Sequence, residues 1–142
     1  IASDPRLAGR VRFVGPVAEE EKAALLSQTD LFVLPSTSDT SSVALLEAMA
    51  CGAACVASDV GGPSEIVQDG VTGRLVSVNA AGALARALAG LLDDGAERRR
   101  LATTARAWVV RSASIELAAR RFISLYELLL AERRHGATVD AR

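Results

Sequence analysis

The stretch Leu31–Gly62, LFVLPSTSDTSSVALLEAMACGAACVASDVGG, decides how the chain is read. Its opening apolar run, Leu31–Leu34, is stopped by Pro35 and reads as a buried strand. A polar loop, Ser36 to Ser42, carries one acid, Asp39. Val43 to Cys51 is apolar except for Glu47, and Gly52 stands where a helix C-cap is expected. A second apolar run, Ala54–Ala57, leads into Ser58-Asp59 and the pair Gly61-Gly62. Strand, loop, helix, strand is a βαβ unit, whose parallel strands are normally buried on both faces.

Glu47 is the informative residue. Its helix has no other polar side chain, so the carboxylate is expected to be mostly buried. Burial costs several kcal/mol unless the group is paired or opens onto a wet cleft. One reading is structural, a pair with an arginine elsewhere or with backbone N–H groups. The other uses position. With a helix starting near Ser42, Glu47 lies about 7–8 Å along the axis from that start. The amides and positive dipole end at Ser41–Val43 suit a phosphate. Glu47, a turn further in, would accept hydrogen bonds from sugar hydroxyls attached to it, with Asp39 on the other side.

Outward from this unit, Val11–Val14 reads as a short strand stopped by Gly15-Pro16, and Ala18–Thr29 as an amphipathic helix with an acidic first turn. Pro63–Gln68 is a short helix ended by Asp69-Gly70, and Arg74–Val76 a last strand. Helices follow over Ala80–Leu92, from Gly95, and from Ile115 to about Arg134, with a break near Ser112–Ser114. Leu101, Ala105 and Val109, then Phe122, Leu125 and Leu129, form apolar stripes that read as core or docking faces. The run Arg98–Arg100 reads as a solvated face, and His135, the single histidine, as remote from any chemistry. The alternation predicts an α/β fold: a doubly wound parallel sheet over about 10–92, with C-terminal helices over 95–134. Ligands in such folds bind beyond the carboxyl ends of the strands, which gathers Gly15-Pro16, Pro35–Ser42 and Ser58–Gly62 on one rim.

The 142 residues make one domain, half hydrophobic and 23% charged, so a packed core is expected. A net charge of −1 gives no electrostatic case for a nucleic-acid partner. Fifteen of the sixteen cations are arginine and one, Lys22, is lysine. Cys51 and Cys55 lack companion ligands and read as free thiols in apolar runs. The absence of a signal peptide or long apolar run suggests a cytoplasmic protein, and a chain beginning at Ile1 suggests a fragment.

LPS at Leu34–Ser36, LLEAMACG at Leu45–Gly52, VASDVGG at Val56–Gly62, then EIV, DG and TGRLV through Val76 resemble one known pattern. It is that of the C-terminal donor-binding domain of GT-B glycosyltransferases of the retaining GT4 group, and the match runs from Val11 to about Leu130. The resemblance implies a Rossmann-like half of a GT-B fold that transfers a sugar from a nucleotide-diphosphate sugar, with retention. It implies that Glu47 holds the ribose hydroxyls, Asp39 the transferred sugar, and the amides of Ser41, Ser42 and Val43 the diphosphate, with Gly15 on the same rim. It implies no metal and no cofactor beyond the donor substrate. It also implies a partner domain that binds the acceptor, and earlier strands, upstream of Ile1.

Three departures stand out. Asp39 replaces the family's first Glu, Thr40-Ser41-Ser42 replaces x-F-G, and Ala54 replaces Pro. Weak membrane association of the full-length protein and an edge-strand dimer of the fragment belong to the same set of expectations. Two other readings are open: a related GT-B-like epimerase or phosphorylase, and a domain that binds nucleotide sugars without catalysis.

Overall fold

A computed structural model describes residues 5–139, with side chains as far as residue 133. Three parallel strands, β1 (Leu31–Leu34), β2 (Ala54–Ser58) and β3 (Arg74–Val76), form one sheet in the order β1-β2-β3. Around it run α1 (Glu19–Ser27), α2 (Val43–Cys51), α3 (Gly61–Ile66), α4 (Ala81–Asp93), α5 (Gly95–Ser112) and α6 (Ile115–Val139), after a 3-10 turn at Pro5–Leu7.

β2 is central and every one of its residues is buried. Because strand side chains alternate, Cys55 and Ala57 enter one cluster with Leu45, Ala48 and Met49 of α2, while Val56 enters another with Val76 and Leu91. The sheet is therefore covered on both faces, as a parallel sheet requires. Small residues in β2 let α2 approach closely; Leu45, Ala48 and Met49, at i, i+3 and i+4, have no exposed surface. Gly52 ends α2 at φ +87, and the N–H groups of Ala53 and Gly52 close onto the carbonyls of Ala48 and Met49. This Schellman arrangement turns the chain straight into β2.

α5 belongs to the core. Its stripe Leu101, Ala105, Val109 is buried and touches both clusters. Asp94 caps it, accepting from the amides of Ala96 and Glu97 at 3.0 and 2.9 Å. The arginines at its start are not merely solvated. Arg98 donates to the Leu91 carbonyl at 2.8 Å and faces Asp30 at 3.5 Å, tying α5 to the end of α4 and to the turn before β1. Arg100 donates from Nε and Nη2 to the two carboxylate oxygens of Glu97 and from Nη2 to the Gly70 carbonyl at 2.7 Å.

Val11–Val14, expected as a strand, forms none and is exposed, Phe13 to 76%. A strand needs a hydrogen-bonded neighbour, and among the described residues no strand pairs with this segment. Of the two readings of the α6 stripe, core or docking face, the structure leaves it out of the core: Phe122, Leu125 and Leu129 are exposed. The side chain of His135 lies outside the described ones, as do residues 1–4. Among the described residues no helix is long and apolar enough to cross a membrane.

Candidate donor-binding site

Pro35 ends β1 at the carboxyl edge of the sheet, and the chain crosses from there to α2 through residues 35–42. Asp39 organises this crossing. Its Oδ1 accepts the Ser41 amide at 3.0 Å, and its Oδ2 accepts the Ser42 hydroxyl in a short hydrogen bond. The first of these is the local turn that aspartate side chains favour. Ser42, 3% exposed, is the N-cap residue, and its carbonyl accepts the amides of Leu45 and Leu46. Asp39, Ser41 and Ser42 are thus brought together as one unit at the start of α2.

Two of the departing residues, Asp39 and Ser42, meet in this pairing. A serine at position 42 carries a nearly buried hydroxyl, and Asp39 gives that hydroxyl its acceptor. A glutamate at 39, one methylene longer, would overshoot the compact ring that the aspartate closes.

Gly61 and Gly62 are the other wall of this unit. The Gly62 amide donates to the Asp39 carbonyl at 2.9 Å. A Cβ on Gly61 would lie 2.3 Å from that carbonyl oxygen, and one on Gly62 would lie 2.9 Å from the Ser41 nitrogen. The glycine pair is therefore both a turn, with Gly61 at φ +28, and a close backbone approach that seats α3 on the 39–41 loop.

The amides at the start of α2 are only partly available. That of Ser41 is taken by Asp39, and that of Val43 by the Ser41 carbonyl at 3.0 Å. Those of Ser42 and Ala44 have no acceptor among the described residues. Val43 itself is exposed.

Glu47 lies one turn into α2 and, contrary to expectation, is not mostly buried: its side chain is 33% exposed. Its partner is Lys22 of α1, Nζ to Oε1 at 2.8 Å, rather than an arginine or the backbone. The nine-residue helix is apolar in sequence, but the face carrying Glu47 turns toward α1 and solvent. Lys22 also holds Glu19 at 2.8 Å, and the two carboxylates, Glu19 foremost, raise its pKa. Gly15 adopts φ +66 in the exposed segment before α1, and no hydrogen bond among the described residues links it to the 39–42 loop.

Beside the loop, the carboxyl ends of all three strands frame a cavity of about 340 Å³, lined by Pro35, Thr37, Ser58, Ser77, Asn79 and Leu84 among others. Thr37 and Ser58 belong to the rim segments read from the sequence, whereas Ser77 and Asn79 do not; Asn79 is the non-glycine residue at positive φ, 58°, among the described residues. A larger groove of about 640 Å³ runs along α5 past Arg99, Arg106 and Gly52, at the amino end of β2 and away from this rim. Cys55 is buried, and burial pushes its thiol up to about 12, so it is an inert core residue. No cluster of three metal-ligating side chains occurs among the described residues.

The family model for glycosyl transferases group 1 matches residues 2–108. A phosphatidyl-myo-inositol mannosyltransferase of Mycolicibacterium smegmatis is 42% identical over 89 residues, which cover 62% of this chain and 23% of that protein. Among solved structures, a sucrose-phosphate synthase of Thermosynechococcus elongatus superposes with a TM-score of 0.84 at 36% identity, covering 89% of this chain and 32% of that one. HepE of Anabaena, solved in complex with UDP-glucose, superposes with a TM-score of 0.80 at 25% identity, over 86% of this chain and 33% of that one. The chain spans about a quarter to a third of the length of these proteins.

Proposed function

The chain belongs to the glycosyl transferases group 1 family, with the α/β architecture of a GT-B half, and from that premise we propose that it binds the nucleotide-diphosphate sugar donor of a retaining glycosyltransferase. The observation that carries this reading is the joining of Asp39, Ser42 and the start of α2 into one unit, walled by Gly61-Gly62, with Glu47 a turn further along the same helix. The diphosphate takes the amides of Ser42 and Ala44 and the positive end of α2. Glu47 accepts the ribose hydroxyls through Oε2, the oxygen that Lys22 leaves open. Asp39 reaches the transferred sugar with the lone pairs that its two loop hydrogen bonds do not use. Charge accumulates on the departing phosphate, and donors preorganised there are the main catalytic device. This scheme needs no metal. HepE, similar in fold, was solved with UDP-glucose, which supports the donor class. The acceptor-binding domain, the strands that pair with the open edge of β1, and the surface that covers α6 belong to the rest of the protein in this reading.

A transfer assay on the whole protein with a panel of UDP- and GDP-sugars tests the proposal, with the product anomer read by proton NMR. Turnover of at least one donor with the anomeric configuration kept is expected. Binding without turnover of any donor would favour the second reading, a domain that kept binding and lost chemistry. The observation favouring that reading is that both oxygens of Asp39 are already engaged within the loop.

Asp39→Glu follows as a specific expectation. The longer acid loses its fit to Ser42, so donor preference should change more than nucleotide affinity. Asp39→Glu combined with Ser42→Gly, which removes the orphaned hydroxyl, should recover rate relative to Asp39→Glu alone. Competing donors assayed against the three proteins check this. Identical preference and rate throughout would mean that Asp39 does not act on the sugar.

A further inference from the structure

Lys22 is the single lysine of a chain with fifteen arginines, and it stands against the acid proposed to receive the ribose. It reaches from α1 to α2, across 25 residues of sequence, and touches one oxygen of Glu47, Oε1, at 2.8 Å. The second oxygen, Oε2, has no partner among the described residues. Glu19 holds the same ammonium at 2.8 Å from the other side. With its own charge held between two carboxylates, Lys22 is anchored to α1 and fixes where Glu47 points. Each side chain of the Lys22–Glu47 pair is one-third exposed, so the pair is open to a ligand and contributes little to stability.

The identity of the cation matters. An ammonium is a point donor and engages one carboxylate oxygen. A guanidinium in the same place would engage both oxygens as a fork and turn the carboxylate to face it, leaving a ligand only the lone pairs that point away from the fork. In a chain that otherwise uses arginine throughout, lysine occupies the place where a single-point contact keeps half of the carboxylate free.

We propose that Lys22 is a positioning residue for nucleotide recognition, holding Glu47 by one oxygen so that the other meets the ribose hydroxyls. This rests on the reading of Glu47 given above. The experiment is calorimetric titration of the whole protein with UDP and GDP and with their 2′,3′-dideoxy counterparts. The quantity read is the ratio of affinities with and without the hydroxyls, in wild type, Lys22→Met and Lys22→Arg. Lys22→Met leaves Glu47 free to turn away, and Lys22→Arg turns both oxygens of Glu47 toward the fork. Each should lower the ratio about 3- to 10-fold, within the worth of one charged hydrogen bond, with affinity for the dideoxy nucleotide and the melting temperature nearly unchanged. A wild-type ratio in either variant overturns the proposal, as does a fall in affinity shared equally by both nucleotide forms. A wild-type protein that binds neither nucleotide, or does not distinguish the forms, removes the ribose reading of Glu47 itself. The two failures are thereby separable.

Discussion

Replacing Gly61 by valine in the whole protein is expected to destabilise it by more than about 3 kcal/mol, a backbone clash added to strain at positive φ. The Cβ would sit 2.3 Å from the Asp39 carbonyl oxygen, a backbone atom that no rotamer change can move aside. Moving it means moving the loop, and that same carbonyl accepts the Gly62 amide at 2.9 Å. The φ of +28 adds a penalty that a β-branched residue cannot relieve. The damage should reach function as well, because the displaced loop carries Asp39 and positions Ser42 at the start of α2. Thermal melting should show a drop on the order of 10 °C, and nucleotide affinity should fall in the fraction that remains folded. A variant that melts and binds like wild type would mean that α3 does not rest on the 39–41 loop.

Leu101→Ala should cost about 2–5 kcal/mol, the range for a buried leucine that leaves a cavity. Leu101 has no exposed surface and packs with Val56, Val76 and Leu91, while the same stripe of α5 continues to Ala105 and Val109 among the residues of α2. Truncation therefore loosens the helix that joins the two faces of the sheet. Denaturant midpoints measure the loss. Nucleotide affinity per folded molecule should stay the same, because Leu101 lies in the core and none of the candidate donor contacts involves it. A loss below about 0.5 kcal/mol, the range of ordinary surface substitutions, would place α5 outside the core.

The βαβ unit was legible because its signals are local. Pro35 stops β1, Gly52 caps α2, and a continuous small apolar run makes β2. The break at Ser112–Ser114 and the helices beside it were legible for the same reason. What the sequence hid was relational. Val11–Val14 has the composition of a strand, but a strand exists only with a neighbour. Glu47 seemed destined for burial because its helix is apolar, while its exposure depends on where α1 lies across that helix. Lys22, 25 residues away, was noticed only as an oddity of composition. Arg98 looked like one of three solvated cations until its carbonyl partners at the end of α4 were seen. In the site, Asp39 and Ser42 are both departures from the family pattern, and nothing in the sequence shows that they touch. In the structure they meet: the Ser42 hydroxyl donates to the Asp39 carboxylate.

In the proposed scheme Glu47 serves a nucleotide rather than acting only as a strut between α1 and α2. Titrating UDP and GDP into the whole protein and its Glu47→Ala variant, with a melt of each, tests it most directly. The lost acceptor should weaken binding by about 1–3 kcal/mol, the scale of a charged hydrogen bond. The melt should hardly move, since the pair with Lys22 is one-third exposed and Lys22 keeps Glu19. Unchanged affinity together with a large fall in melting temperature would contradict the account and leave Glu47 as a strut between α1 and α2.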